Sequence, residues 1–237
     1  MRSMLIALAA AAAVAAVTAP TAGAATHECD GLQICVPIAG PWVVVPGASA
    51  TPLPVEFQLD CPRGYIVGGL DAELSVREID LTFAGSVGSP VNPGITTARS
   101  AVFTATYVGQ DATVRPSFRP HIGCIPTSGG GGRTPTSVTA VTTFQPGHPT
   151  TRRVRNVLLL PGTGRVAQGC AAGERLIGAA AATGFLTKAP PTRGQVDAVR
   201  TTLTVGGRQA SVLVRATAAV RTVRAMLQIG AVCAGGR

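Results

Sequence analysis

Short runs of alternating apolar and polar residues, broken by glycine and proline, recur along most of the chain. Val55-Glu56-Phe57-Gln58-Leu59 alternates cleanly, and Phe103, Ala105 and Tyr107 share one face of residues 101–108. Val199, Thr201, Leu203 and Val205 alternate before Gly206-Gly207, a hairpin turn signal, and Ala210, Val212, Val214 and Ala216 alternate after it. Period two marks half-buried strands. Further strands are predicted over residues 34–38, 42–45, 65–67, 113–125, 138–144, 152–160, 165–168, 175–177 and 220–232. Leu74, Val76, Ile79, Leu81 and Phe83 keep period two with one slipped residue, which predicts a single bulged strand. Gly68-Gly69 marks a bulge or a close backbone approach, and Pro116 and Pro120 place the strand ending near Cys124 at a sheet edge or interrupt it. Beyond the N-terminus no window of eleven or more residues has a 3.6-residue period. Gly178 and Gly184 fence residues 179–182 too tightly for a stable helix. The fold class predicted is all-β, of the sandwich kind.

The pattern occurs twice. Cys61 is followed 63 residues later by Cys124, and Cys170 is followed 63 residues later by Cys233. Cys61-Pro-Arg-Gly-Tyr-Ile-Val-Gly-Gly resembles Cys170-Ala-Ala-Gly-Glu-Arg-Leu-Ile-Gly, each with glycine three residues on and an apolar pair before another glycine. Ile122-Gly123-Cys124 corresponds to Ile229-Gly230-Ala231-Val232-Cys233, and Val43-Val44-Val45-Pro46-Gly47 to Leu158-Leu159-Leu160-Pro161-Gly162. Two tandem disulfide-stapled β-sandwich-like domains arising from an internal duplication are therefore expected, over residues 25–127 and 137–237. Between them, residues 128–136 include Gly129-Gly130-Gly131-Gly132, a linker by composition.

The Cys-Pro-x-Gly opening, the following glycines and the short apolar run closing on a cysteine resemble those of uncharacterised secreted bacterial β-domains. The resemblance covers both cysteine-bracketed segments and implies export and a β-fold, with no catalytic residues. The second copy lacks the proline and the double glycine, which leaves a bulge there unassigned.

The N-terminus agrees with export. Arg2, the apolar residues 5–17 and Ala22-Gly23-Ala24 have the order of a secretory signal peptide, assigned to residues 1–24. A membrane anchor is the rival reading, but that run, like every later one, is shorter than the roughly 18 residues a spanning helix needs. An oxidising compartment then pairs Cys29, Cys35, Cys61, Cys124, Cys170 and Cys233. Equivalent positions in two copies should pair alike, giving Cys61–Cys124 and Cys170–Cys233, with Cys29–Cys35 closing a small N-terminal loop. Zinc on His27, Cys29 and Cys35 is the alternative, without the ligand spacing of structural zinc sites. No metal or other cofactor is assigned.

Charge separates the copies. The chain carries a net +9. Residues 25–127 hold five arginines against nine acids, a net −4, whereas residues 128–237 hold thirteen arginines and Lys188 against two acids, a net +12. Either the copies dock on each other or they stay separate and the basic one faces an anionic cell-surface polymer. Twelve positive charges outnumber four negative ones, which favours the second arrangement. Arg152, Arg153, Arg155, Arg208, Arg215, Arg221 and Arg224 are the candidate polyanion contacts, since guanidinium forks grip phosphate and carboxylate. A solvated charged face is the plainer account of the same residues. Nucleic acid is not an expected partner, because basic and aromatic residues are not interleaved.

Catalytic chemistry has little to draw on. His27, His121 and His148 belong to no nucleophile motif, Gly85-Ser86-Val87-Gly88 is not a nucleophile elbow, and residues 129–132 lack the lysine of a phosphate loop. The one acidic cluster, Asp71, Glu73, Glu78 and Asp80, offers a Ca²⁺ site or a hydrolase carboxylate pair as the alternative function, and a wet strand face as the plain one. The protein is read as a secreted, non-enzymatic, cell-wall-associated or extracellular β-domain protein. Trp42 is assigned to the core.

Overall fold

The computed structural model describes residues 26–85, 99–126 and 150–235. The proposed signal peptide, the glycine linker, the strand expected over residues 138–144 and the loop over residues 86–94 lie outside them. The described residues form thirteen strands and two short helices.

The first unit contains β1 (Val36–Ala39), β2 (Trp42–Val44), β3 (Val55–Asp60), β4 (Tyr65–Leu74), β5 (Ile79–Gly85), β6 (Ser100–Tyr107) and β7 (Ser117–Pro126). The second contains β8 (Thr150–Leu158), β9 (Gly162–Gly169), β10 (Glu174–Phe185), α1 (Arg193–Asp197), β11 (Val199–Gly206), β12 (Gln209–Ala216), α2 (Val220–Val223) and β13 (Ala225–Gly235). Each unit has a three-stranded antiparallel sheet of its own, ordered β3-β6-β5 and β9-β12-β11. The remaining strands join into one seven-stranded sheet, in which β7 pairs with β4 along one edge and with β1 and β2 along the other, and β2 leads on to β10, β13 and β8. Phe57, Phe103, Phe118 and Ile122 fill the first core, and Phe185, Val212, Leu227 and Ile229 the second. Trp42 is buried.

All three disulfides form as the spacing predicts. Cys61 follows β3 and Cys124 lies on β7, so the bond ties the two sheets of the first sandwich together. Cys170 and Cys233 do the same in the second. In the chain-entropy account each 63-residue loop closure removes about 4 kcal/mol of unfolded-state entropy.

The units agree in detail. Val67 pairs with Cys124 and Leu176 with Cys233, and in both the register slips at the next residue of the first strand. The second bulge forms at Ile177 without a double glycine. Where the sequences were matched as Val43 against Leu158, the register puts Val44 there: Val44 faces Ser117 and Leu158 faces Met226, each seven residues before the closing cysteine. The turn after β2 is one residue out of step with the turn after β8.

Three other local expectations are corrected. Residues 74–83 are not one bulged strand: β4 ends at Leu74 in the shared sheet and β5 begins at Ile79 in the small one. Both strands face the same core, so the alternation survives the crossover. β7 is central rather than at an edge, despite Pro120. A residue's N–H and C=O leave a strand on the same side, and the Pro120 carbonyl accepts from Gly40 N–H (2.8 Å). The missing donor therefore falls at the break between β1 and β2. A Cβ on Gly40 would lie 2.7 Å from the Pro120 ring, so only glycine fits there. Residues 220–223 are helical, and Arg224 turns the chain into β13 with a positive φ of 44°. α1 begins at a capping box, in which Thr192 Oγ1 accepts from Gln195 N–H and Gln195 Oε1 accepts from Thr192 N–H.

The expectation that the units stay separate is also corrected. Val43 pairs with Gly184 and Trp42 with Phe185, which makes the shared sheet continuous. Gln228 on β13 is buried, accepting from Gln58 N–H (2.6 Å) and donating to the Gln58 carbonyl (2.9 Å). One side-chain amide thus satisfies both backbone groups on the free edge of β3.

Candidate anion-binding face

Four of the seven candidate arginines are engaged within the protein. Arg152 Nη1 donates to Glu56 Oε2 of the first unit (2.6 Å), and its buried Nε has no hydrogen-bond partner among the described residues. Arg153 grips Glu174 with both arms of its fork, Nη2 to Oε1 at 2.6 Å and Nε to Oε2 at 3.2 Å. That fork, with help from the Ala171 N–H, holds the Glu174 carboxyl below its ordinary range and raises Arg153. Arg155 Nη1 reaches the Ala167 carbonyl on the facing sheet (3.5 Å). Arg208 donates from Nη2 to the carbonyls of Cys170 (3.3 Å) and Ala171. Arg99 does the same for Cys61 (3.1 Å), also 38 residues after its opening cysteine, so each sandwich has an arginine clasp at its first cysteine.

Arg215, Arg221 and Arg224 remain exposed, and among the described residues none has an ion pair. β12 shows why Arg215 points outward. Ala210, Val212, Val214 and Ala216 are buried, so Gln209, Ser211, Leu213 and Arg215 form the other face. Cross-strand partners share a face, and Arg215 lies between Arg200 on β11 and Thr163 on β9. Leu213 lies beside Arg165 in the next row. Sequence reading missed Arg165 and Arg200, although the alternation of β11 already set Arg200 opposite in phase to Val199 and Thr201. Their convergence depends on strand register, which no single run of sequence contains.

Arg200 and Arg215, directly opposite, line a cavity of about 230 Å³ together with Thr163, Asp197 and Thr217. Asp197 is contacted by Arg193 Nε (3.5 Å) and by Arg115 Nε from the first unit (3.6 Å). Among the described residues two ion pairs cross between the units, and they run in opposite directions: Arg152 to Glu56, and Arg115 to Asp197. Docking therefore leaves the basic excess of the second unit as it was.

The acidic cluster does not assemble into one site. Asp71 and Glu73 lie on β4 in the shared sheet, whereas Glu78 and Asp80 are exposed at the small sheet. Asp71 accepts from His27 N–H (2.7 Å). Glu73 pairs with Arg119 (3.6 Å) and with buried His121, Nε2 to Oε1 at 2.9 Å. The other His121 nitrogen faces Oε1 of buried Glu28 at 3.6 Å, while Glu28 Oε2 has no hydrogen-bond partner among the described residues. These contacts seat the N-terminal loop on β4 and β7. A Cβ on Gly69 or Gly123 would collide with the Glu28 carbonyl there. Cys29 and Cys35 are joined to each other, which removes the thiolates a zinc reading needs. The one group of potential metal ligands that converges among the described residues is Cys170, Glu174 and Cys233, and both cysteines are in a disulfide.

No family model, curated protein or solved structure matches the chain. No described helix is long and apolar enough to cross a membrane.

Proposed function

We propose that this is an exported, non-enzymatic protein, built by duplication of one sandwich unit, whose basic second unit binds an anionic cell-surface or extracellular polymer. Three disulfides and the N-terminal signal pattern support export. The shared strand order, the matching bulges and the paired arginine clasps support duplication.

The observation that carries the binding reading is the outer face of β9, β12 and β11, where Arg165, Arg200 and Arg215 stand exposed with no ion pair among the described residues. Like charges directly opposite on neighbouring strands destabilise a sheet. An oxyanion between Arg200 and Arg215 turns that repulsion into two charge-assisted contacts. Arg221 and Arg224 are exposed at α2 and the turn into β13 and add to the positive charge of the second unit. Arg152, Arg153, Arg155 and Arg208 have the separate role of holding strands, units and the second disulfide turn in place.

Retention of the full chain on an anionic resin tests this reading. Elution well above about 0.15 M salt is expected, since exposed contacts are screened over roughly 8 Å at that ionic strength. Elution at or below it would show that the second unit has no concentrated basic face.

A further inference from the structure

The cavity beside this face contains an acid as well as two arginines, and that combination narrows the ligand. Arg200 and Arg215 project from paired positions on β11 and β12, and Thr163 continues the row on β9. Asp197 stands on the same wall system, at the end of α1, with Thr217 just after β12. A bare polyanion gains from the two arginines and is opposed by Asp197. A ligand with a hydroxyl next to its anionic group meets all three side chains favourably, because a carboxylate accepts from a hydroxyl. Arg193 and Arg115 hold Asp197 in place as an acceptor. A volume of about 230 Å³ falls below the roughly 300–1,000 Å³ of a drug-sized ligand site, so it takes a single small unit.

Resting on the polymer-binding reading above, we propose that this cavity binds one phosphorylated polyol unit of the polymer, its phosphate bridged between Arg200 and Arg215 and an adjacent hydroxyl donated to Asp197. The open surface carrying Arg165 then supports the neighbouring units of the chain.

Calorimetric titration of the full chain with glycerol 3-phosphate, inorganic phosphate and a glycerol phosphate oligomer tests this. Glycerol 3-phosphate should bind about tenfold more tightly than inorganic phosphate, the value of one hydrogen bond to a charged group. Asp197→Ala should abolish that preference and leave phosphate bound at least as well, because the acceptor and its negative charge are gone. Arg200→Gln and Arg215→Gln should each weaken both ligands about tenfold or more. Arg215→Lys keeps the charge without the fork and serves as the control against misfolding, with an expected loss of the same sign. Equal binding of the two small ligands, or a preference that survives Asp197→Ala, would overturn the proposal. If the oligomer alone still bound with strong salt dependence, the polymer-binding reading would stand without this subsite. If the oligomer failed to bind at about 0.15 M salt, that reading itself would fall.

Discussion

Gln228 shows how much a single side chain decides here. It sits on β13 with its amide pressed against the backbone of Gln58, and its Nε2 also donates to Asn156 Oδ1 (2.9 Å). The Gln58 N–H and C=O are part-buried by the neighbouring unit, where water cannot replace a lost partner fully. Gln228→Leu keeps most of the volume and removes the hydrogen bonds. It should cost about 1–3 kcal/mol, the cost of stranding a buried polar group. Urea unfolding of the full chain measures this, and an unchanged midpoint would mean that the units are held together without Gln228. Nothing in the run Met226-Leu227-Gln228-Ile229 announced this role. A glutamine between apolar residues reads as a solvent-facing position of a strand, and here that face is covered by the other unit. Cys61, Cys124, Cys170 and Cys233 were legible for the opposite reason, because their pairing follows from spacing that the chain repeats.

At the scale of elements, strands whose two faces differ in environment were readable and strands between environments were not. β6 and β12 alternate because one face meets a core. β4 and β5 read as one strand because they share a core while lying in different sheets. Prolines in β7 signalled an edge, and the edge exists only locally, at the gap between β1 and β2. The arginines of β8 illustrate the same limit: exposure was inferred from charge, but their partners lie at Glu56 and Glu174, far away in sequence. Arg153 and Glu174 connect β8 to the start of β10 across β13, an interaction with a definite pH dependence. The Glu174 carboxyl is held below its ordinary range by the Arg153 fork, so the folded state binds its proton less readily than the unfolded chain does. The linked stability is present above the ordinary carboxylate range and is lost as pH falls through the depressed value. Thermal midpoints should therefore fall as pH drops below the ordinary carboxylate range, and Glu174→Gln should flatten part of that decline. An identical acid limb in the variant would show that the pair does not contribute.

Across the whole molecule, the docked arrangement and the charge split fit together. The interface exchanges one ion pair in each direction, Arg152 with Glu56 and Arg115 with Asp197, so the first unit orients the second without neutralising it. The disulfide-stapled second unit then presents Arg165, Arg200 and Arg215 on one sheet face and leaves Arg152, Arg153 and Arg155 as structural members. The most direct test of this division is the salt dependence of binding to a glycerol phosphate polymer, measured as the slope of log affinity against log salt. Each arginine removed from a phosphate contact should lower the slope by about 0.7–1. The triple variant Arg165→Gln, Arg200→Gln, Arg215→Gln should therefore lose about 2 units or more of slope, while Arg152→Gln, Arg153→Gln, Arg155→Gln should be less stable with its slope unchanged. The reverse result, slope lost in the second variant and kept in the first, would contradict the account.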